Sequence, residues 1–96
     1  MEITQHEKEG RTILILEGVL DLENLGALKA RLMDCLKGQT GVTIDLQHID
    51  EWDAAGIQVL WSAQKTALEK NQPFSIIHAS NALVKAAEAI GVCNLL

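Results

Sequence analysis

The sequence predicts an α/β fold with a four-stranded, mostly parallel mixed sheet, an antiparallel first strand and three main helices. Three observations support this prediction. Runs rich in β-branched residues alternate with longer amphipathic runs, and the first two strand-like runs are separated only by the turn Glu9-Gly10. The length of 96 residues fits one small domain, so we expect residues 1–96 to form a single domain.

Two strands are predicted before the first helix. Residues 2–8 form the first strand. The nearly continuous apolar segment TILILEGVLD, residues 12–21, forms the second, which other elements should cover. Their close spacing allows the two strands to pair as a hairpin across Glu9-Gly10.

The first helix is predicted from Leu22 to Lys37, where leucines recur every three or four residues and Gly38 follows as a stop signal. Its buried face should contain Leu25, Leu28, Leu32 and Leu36. VTIDL, residues 42–46, is short and β-branched and follows Gly41, which predicts a central strand. The charged segment QHIDEWD, residues 47–53, is then expected to be a loop.

The second long helix is predicted over residues 54–70. Its buried arc should contain Ile57, Leu60, Ala63, Ala67 and Leu68, and its opposite side should contain Gln58, Ser62, Thr66 and Glu69. Asn71-Gln72-Pro73 breaks the helix, and FSIIHA, residues 74–79, has the composition of a strand. A last helix should begin at a Ser80 or Asn81 cap, end at Gly91, and bury Leu83, Ala86, Ala87 and Ile90.

This order, β-β-α-β-α-β-α, determines most of the topology. Strands that are joined through a helix lie parallel with right-handed crossovers, so only the first hairpin is expected to be antiparallel. In such sheets the loops at the carboxyl ends of the strands gather at one edge, where binding sites are usually built. We expect Asp21, Asn24, Asp50 and Asp53 to lie together there, near the start of the second long helix.

The composition argues against several classes of function. Thirteen acidic and eight basic residues give a formal charge of −5, which would repel nucleic-acid backbones and anionic lipid surfaces. The sequence contains no apolar run of 18 residues, and its amino terminus is polar and acidic where a secretory signal is basic and then apolar. We therefore expect a cytoplasmic protein that binds no nucleic acid and does not insert directly into a membrane.

The cysteines and histidines predict neither a disulfide nor a metal site. Cys35 and Cys93 are 58 residues apart and are most simply interpreted as buried small hydrophobes in a reducing compartment. His6, His48 and His78 come from three segments without ligand spacing. No bound cofactor is expected.

The start of the second long helix carries the most informative motif. Asp53 directly precedes the helix, and its carboxylate can cap it by accepting a hydrogen bond from the N–H of Ala55 or Gly56. Gly56, at the third helical position, weakens the first turn by up to about 1 kcal/mol relative to alanine. We therefore expect Gly56 to let a partner approach closely.

Three other residues have structural interpretations. Asp45 lies inside an apolar strand, where a carboxylate is costly unless it is hydrogen-bonded, so we expect it to tie down neighbouring loop backbone. Trp61 lies at the edge of the apolar arc, where it either packs against the core or is covered by a partner. Trp52 is assigned to packing under the loop.

At these positions the chain resembles the STAS domain family, the fold of bacterial anti-sigma factor antagonists. The resemblance rests on EGVLD (17–21), VTIDL (42–46) and DAAGIQVL (53–60). These segments are similar to the family signatures G-x-L-D, a strand that ends in D-L, and D-S-S/T-G-L-x-x-L. The ending from Ala86 to Leu96 is similar as well. The resemblance implies a STAS fold and a regulatory, protein-binding function.

The resemblance also implies a switch that this chain has lost. In the family, a serine kinase that is also the anti-sigma factor phosphorylates the second hydroxyl of D-S-S-G, which adds nearly two negative charges and releases the complex. The matching position here is Ala55, after Ala54, so the site is expected to stay unphosphorylated. Ser62, two turns farther on, is the nearest outer hydroxyl and is expected to be an ordinary surface serine.

The motif further resembles D-x-A-G-x-Q-L-L, a variant of STAS proteins associated with chemotaxis gene clusters, which Gln58 fits. Another branch of the family serves as the small STAS subunit of a lipid-transport ATPase. We favour the chemotaxis-like branch.

These observations predict a non-catalytic module whose partner contacts the turn before the second long helix and the outer side of that helix. The partner is expected to be a serine-kinase-type anti-sigma factor, a phosphatase or a signalling scaffold. The expected contact residues are Asp21, Asn24, Asp50, Asp53, Ala54, Ala55, Gly56, Gln58 and Ser62.

The enzymatic alternative is an acidic phosphoacceptor or nucleotide-binding pocket made by Asp45, Asp50 and Asp53. The sequence argues against it, because the chain has too few β-α units for a receiver domain and no glycine-rich motif for nucleotide phosphates.

Overall fold

The computed structural model describes residues 2–38 and 41–91. Its four strands are β1 (Glu2–Lys8), β2 (Arg11–Leu20), β3 (Val42–Trp52) and β4 (Phe74–Ile77). A 3-10 turn (Leu22–Asn24) precedes α1 (Leu25–Lys37), and the remaining helices are α2 (Ala54–Glu69) and α3 (Asn81–Ala89). Within the described ranges, no helix is long and apolar enough to cross a membrane.

The four strands form one sheet in the order β1-β2-β3-β4. β1 pairs with β2 antiparallel, whereas the β2–β3 and β3–β4 pairs are parallel. The hairpin turn has positive φ at both Glu9 (52°) and Gly10 (78°), the backbone pattern that matches the twist of two paired strands. The predicted mixed sheet with an antiparallel first strand is confirmed.

One hydrophobic core lies between the sheet and the three helices. Alternate side chains of a strand point to opposite faces, and the even-numbered side chains of β2 and of residues 42–46 in β3 point to the helices. On the sheet these are Leu14, Leu16, Leu20, Val42, Ile44 and Leu46. The helices contribute Leu28, Leu32, Leu36, Ile57, Leu60, Ala63, Ala67, Leu83 and Ala87.

Two residues that the helical patterns predicted to be inward are exposed. Leu68 is 68% exposed because it lies about 100° around the helix from buried Ala67 and outside the arc that packs on the sheet. Ile90 is 40% exposed because α3 ends at Ala89 and Ile90 is already its C-cap. Ala86 is partly buried against the core. The predictions that Leu68 and Ile90 are buried were wrong.

Residues 47–53, which were predicted to be a charged loop, belong almost entirely to β3. β3 continues to Trp52 and pairs with β2 as far as Leu20, but the register shifts twice along the way, near Glu17 and near Val19. Each shift is a local bulge that breaks the inward–outward alternation, so the sequence pattern of a strand is lost although the pairing continues. Trp52 is partly buried against the core, as predicted.

The other end of the sheet follows the predicted order with shorter elements. β4 ends at Ile77, and His78 has φ 60°, which stops the strand. Ser80 is the cap of α3, since its Oγ accepts a hydrogen bond from the N–H of Leu83 at 3.1 Å. Gly91 follows the helix with φ 84°.

Cys35 is a partly buried free thiol on α1. Desolvation by burial is the main cause that raises its pKa, which favours the neutral thiol. This agrees with the interpretation of Cys35 as a small hydrophobe. Cys93 lies outside the described residues.

Candidate functional site

Asp53 joins the start of α2 to the loop after β2. Its Oδ1 accepts a hydrogen bond from the N–H of Gly56 at 2.9 Å, which is the predicted helix cap. Its Oδ2 accepts a second bond from the N–H of Leu22 at 3.1 Å, and its own N–H donates to the carbonyl of Leu20 at 3.0 Å. One residue therefore fixes the relative position of two segments that are about 30 residues apart in sequence.

Gly56 is buried at the same junction. A Cβ placed on it would lie 2.5 Å from the carbonyl oxygen of Leu20 and 2.7 Å from Cγ of that residue. The group that approaches Gly56 closely is thus the end of the protein's own β2, not a partner. The expectation that Gly56 contacts a partner is corrected accordingly.

Asp21 and Asn24 hold the loop between β2 and α1. Asp21 Oδ1 accepts hydrogen bonds from the backbone N–H of Asn24 at 3.3 Å and from its side-chain amide at 2.9 Å. The same amide donates to the carbonyl of Val19 at 3.0 Å. Both side chains are partly buried, so their first role is to shape the loop.

Asp21, Asn24 and Asp50 line one open, acidic groove at the carboxyl edge of the sheet. The groove has a volume of about 790 Å³ and is also lined by Glu2, Glu17, Glu23 and His48, among others. Asp53 is joined to the neighbouring loop through Leu22. Three of the four polar residues that were predicted to cluster therefore line the groove. Asp53 does not line it but is hydrogen-bonded to the loop that does.

The outer side of α2 presents the other predicted contact residues. Ala54, Gln58 and Ser62 are exposed at successive turns, and Ala55 is partly buried. Trp61 is 38% exposed, and the Nζ of Lys65 lies 4.7 Å from the centroid of its ring. Trp61 thus belongs to the outer side of the helix, outside the buried core.

Leu22 is an exposed apolar residue at this site that the sequence did not single out. Its side chain is 70% exposed, while its N–H is held by Asp53 at the beginning of α2. We name Leu22, Ala54, Ala55 and Gln58 the α2 tip. In the sequence, Leu22 looks like the first leucine of the buried face of α1, because it has the same spacing. In the structure it belongs to a 3-10 turn, which does not share the geometry of α1.

The carboxylates of the enzymatic alternative have separate structural tasks. Asp45 Oδ1 accepts a hydrogen bond from the N–H of Gln47 at 2.9 Å and lies 3.1 Å from Nδ1 of His78, so Asp45 is hydrogen-bonded as expected, but the backbone it holds belongs to β3 and not to a loop. Asp53 caps α2, and Asp50 lines the groove. Across residues 2–38 and 41–91, no cluster of three or more side chains fits a metal ion.

Residues 3–96 match one protein-family model, which is described as "Mlab, STAS domain". A comparison with curated proteins found no match in sequence.

Solved structures show where the fold recurs. An anti-sigma factor antagonist from Mycobacterium paratuberculosis matches with a TM-score of 0.83 at 16% identity, over 95% of this chain and 78% of that chain. A Thermotoga maritima protein described as an anti-sigma factor antagonist matches with 0.84 at 16% identity, over 94% and 79%. The Bacillus cell fate determinant SpoIIAA in its phosphorylated form matches with 0.72 at 14% identity, over 95% and 85%.

The fold also occurs inside a longer protein. The chain spans only 20% of the length of Mglu, which it matches over 81% of its own residues with a TM-score of 0.72 and 18% identity. At these identities the structural matches establish the fold alone.

Proposed function

Because this chain belongs to the STAS domain family, we propose that it is a non-catalytic regulatory module that acts by binding another protein through the α2 tip and the acidic groove beside it. The module acts in the cytoplasm, in bacterial signalling or chemotaxis, and is constitutively unphosphorylated at the tip. The partner is a serine-kinase-type anti-sigma factor, a phosphatase or a signalling scaffold.

The observation that carries this proposal is the double hydrogen bond of Asp53. It holds exposed Leu22 at the amino end of α2, where Ala54, Ala55 and Gln58 also lie. A surface that is fixed before binding has little conformational entropy left to lose, which favours a stable contact. An exposed leucine that is held in place by its own backbone also suits the apolar centre of an interface.

The negative charge of the acidic groove favours a partner that has basic side chains at the edge of its interface. The acidic groove carries five carboxylates, those of Glu2, Glu17, Asp21, Glu23 and Asp50. A partner that covers the apolar tip with basic side chains at its edge would gain complementarity in orientation and association rate. SpoIIAA, which shares the fold, has been solved in a phosphorylated form, whereas this chain has alanine at both positions of its D-A-A-G motif that correspond to serines in the family.

A second candidate is the small STAS subunit of a lipid-transport ATPase, the other branch of the family that the resemblance suggests. Both candidates use the protein-binding surface at the start of α2. They differ in the partner: capture of an ATPase subunit supports the second, and capture of a kinase, phosphatase or scaffold supports the first.

Ala55→Asp is expected to weaken capture of the partner by about tenfold or more while the domain stays folded. The new carboxylate lies at the amino end of a helix, where the helix dipole favours it, but it adds a negative charge to the surface that the partner covers. The measurement is quantitative affinity capture from extract of the native cell, followed by mass spectrometry.

The matched control is Ala82→Asp, which adds the same charge at the second position of α3. It should leave capture unchanged. Equal capture by both variants and the natural chain would exclude the α2 tip as the interface.

Ala55→Ser is expected to restore a phosphorylation site if the captured partner is a serine kinase. The variant should accept one phosphate from ATP in the presence of that kinase, and the natural chain should accept none at the tip. Ala82→Ser, with the same hydroxyl on α3, serves as the control. Phosphate on the tip of the natural chain, or a captured serine kinase that fails to modify the A55S variant, would contradict the lost-switch proposal.

A further inference from the structure

The sheet has a second face, opposite to the helices, that carries half-buried apolar side chains. All buried side chains of α1, α2 and α3 belong to the core on the first face. The odd-numbered residues of β2 and of segment 42–46 in β3 point the other way, and Ile13 and Ile15 are only partly buried there. Ile77 of β4 is 37% exposed on the same face. Sheets with parallel pairing usually have both faces covered, so this face is suited to contact another molecule.

The strand register places these side chains in rows. Ile15 lies beside Asp45, which lies beside Ile77, and Thr4 of β1 completes that row. The next row contains His6, Ile13, Thr43 and Ser75, with a 3.0 Å hydrogen bond between the hydroxyls of Thr43 and Ser75. The centre of the face therefore combines isoleucines and hydroxyls with the side chains of Asp45 and His6. The Asp45 carboxylate is held by the N–H of Gln47 and lies 3.1 Å from Nδ1 of His78.

The two ends of this face carry opposite charges. Glu2 and Glu17 are paired at the carboxyl end of β2, and Lys8 and Arg11 are paired at its amino end. The other six basic residues of the chain lie in segments 25–37, 54–70 and 81–89, which form α1, α2 with its C-cap, and α3. The basic end of this face is thus a local exception on the acidic, strand-forming part of the protein.

We propose that the sheet face opposite to the helices binds the same face of a second copy of this chain, with the two β2 strands antiparallel. A two-fold axis in the interface places Lys8 and Arg11 of each copy over Glu2 and Glu17 of the other, and Ile13 over Ile15. The parallel arrangement would place like charges over each other at both ends. Self-complementary charge at the two ends of the face therefore selects both the occupant and its orientation.

This contact goes beyond the proposed partner binding. It covers Glu2 and Glu17, which also line the acidic groove, so a second copy and a partner would compete for these two carboxylates. The helices lie on the other face of the sheet, so the α2 tip of each copy stays accessible. The two proposals fail separately, because mass in solution tests the dimer and affinity capture tests the tip.

The test is sedimentation equilibrium of the purified chain between about 1 µM and 1 mM, where weak and moderate complexes are half formed. The expected result is a mass that rises toward twice the 10.5 kDa of the chain. Arg11→Glu and Glu17→Arg should each raise the dissociation constant by about tenfold or more, because each variant creates two like-charge contacts across the axis. The double variant, with both charges exchanged, should return toward the natural value.

Two further variants separate this face from other surfaces. Ile15→Lys should abolish the dimer, and circular dichroism should show an intact fold because Ile15 lies outside the core. Lys85→Glu, a charge reversal of the same size on α3, should leave the dissociation constant unchanged. A mass of 10.5 kDa at every concentration overturns the proposal. A dimer whose dissociation constant is unchanged by the Ile15 and charge variants overturns it too. The same holds if the chain is monomeric and this face binds a different protein.

Discussion

Gly56→Ala is expected to lower the free energy of unfolding by about 2 to 3 kcal/mol, although it places a better helix former inside α2. The added Cβ would lie 2.5 Å from the carbonyl oxygen of Leu20 and 2.7 Å from its Cγ. The oxygen belongs to backbone at the end of β2, so α2 must move away from the sheet to make room. Helix propensity alone predicts the opposite sign, a gain of up to about 1 kcal/mol.

The measurement is urea-induced unfolding followed by circular dichroism. Gly26→Ala in α1 is the matched control, because a Cβ there meets no atom within 4 Å outside its immediate chain neighbours and the helix's own nearby backbone. The control should be neutral or stabilise the domain by up to about 1 kcal/mol. A Gly56→Ala variant as stable as the natural chain would show that the contact between α2 and Leu20 can relax at little cost.

Asp53→Ala is expected to destabilise the domain by about 2 kcal/mol. The variant loses the cap of α2, which contributes about 1 kcal/mol, and also the bond to the N–H of Leu22, which contributes about as much. Ser80→Ala in α3 removes a cap of the same kind with one hydrogen bond and should cost about 1 kcal/mol.

Asp53→Asn refines the test, because its amide has one oxygen where the carboxylate has two. The free energy of unfolding of this variant, measured in urea, should lie between those of the natural chain and Asp53→Ala. If Asp53→Ala and Ser80→Ala are equally destabilised, the bond to Leu22 contributes nothing to stability. The α2 tip would then be held by the helix cap alone.

The order of elements was predictable because each signal is local. Leucine spacing, Gly38 as a stop and Ser80 as a cap act within one or two turns of chain, and they hold in the structure. The cap by Asp53 was predictable for the same reason, since a helix start needs an acceptor within three residues.

Features that depend on distant parts of the chain were not predictable in the same way. The extension of β3 to Trp52 follows from pairing with β2 through two register shifts, which leave no alternating pattern in the sequence. The glycine at position 56 signalled a close approach, but only the fold identifies Leu20 as the group that approaches. Exposed Leu22 was hidden for a similar reason, because a 3-10 turn continues the leucine spacing without continuing the buried face.

The two bonds of Asp53 also bear on the heat of complex formation. Since the carboxylate already orders the loop and the helix end in the free molecule, docking at the tip involves little coupled folding. The heat-capacity change on binding would then reflect mainly the apolar area that is removed from water. A calorimetric titration of this domain therefore measures the contact itself, with only a small contribution from ordering of the loop.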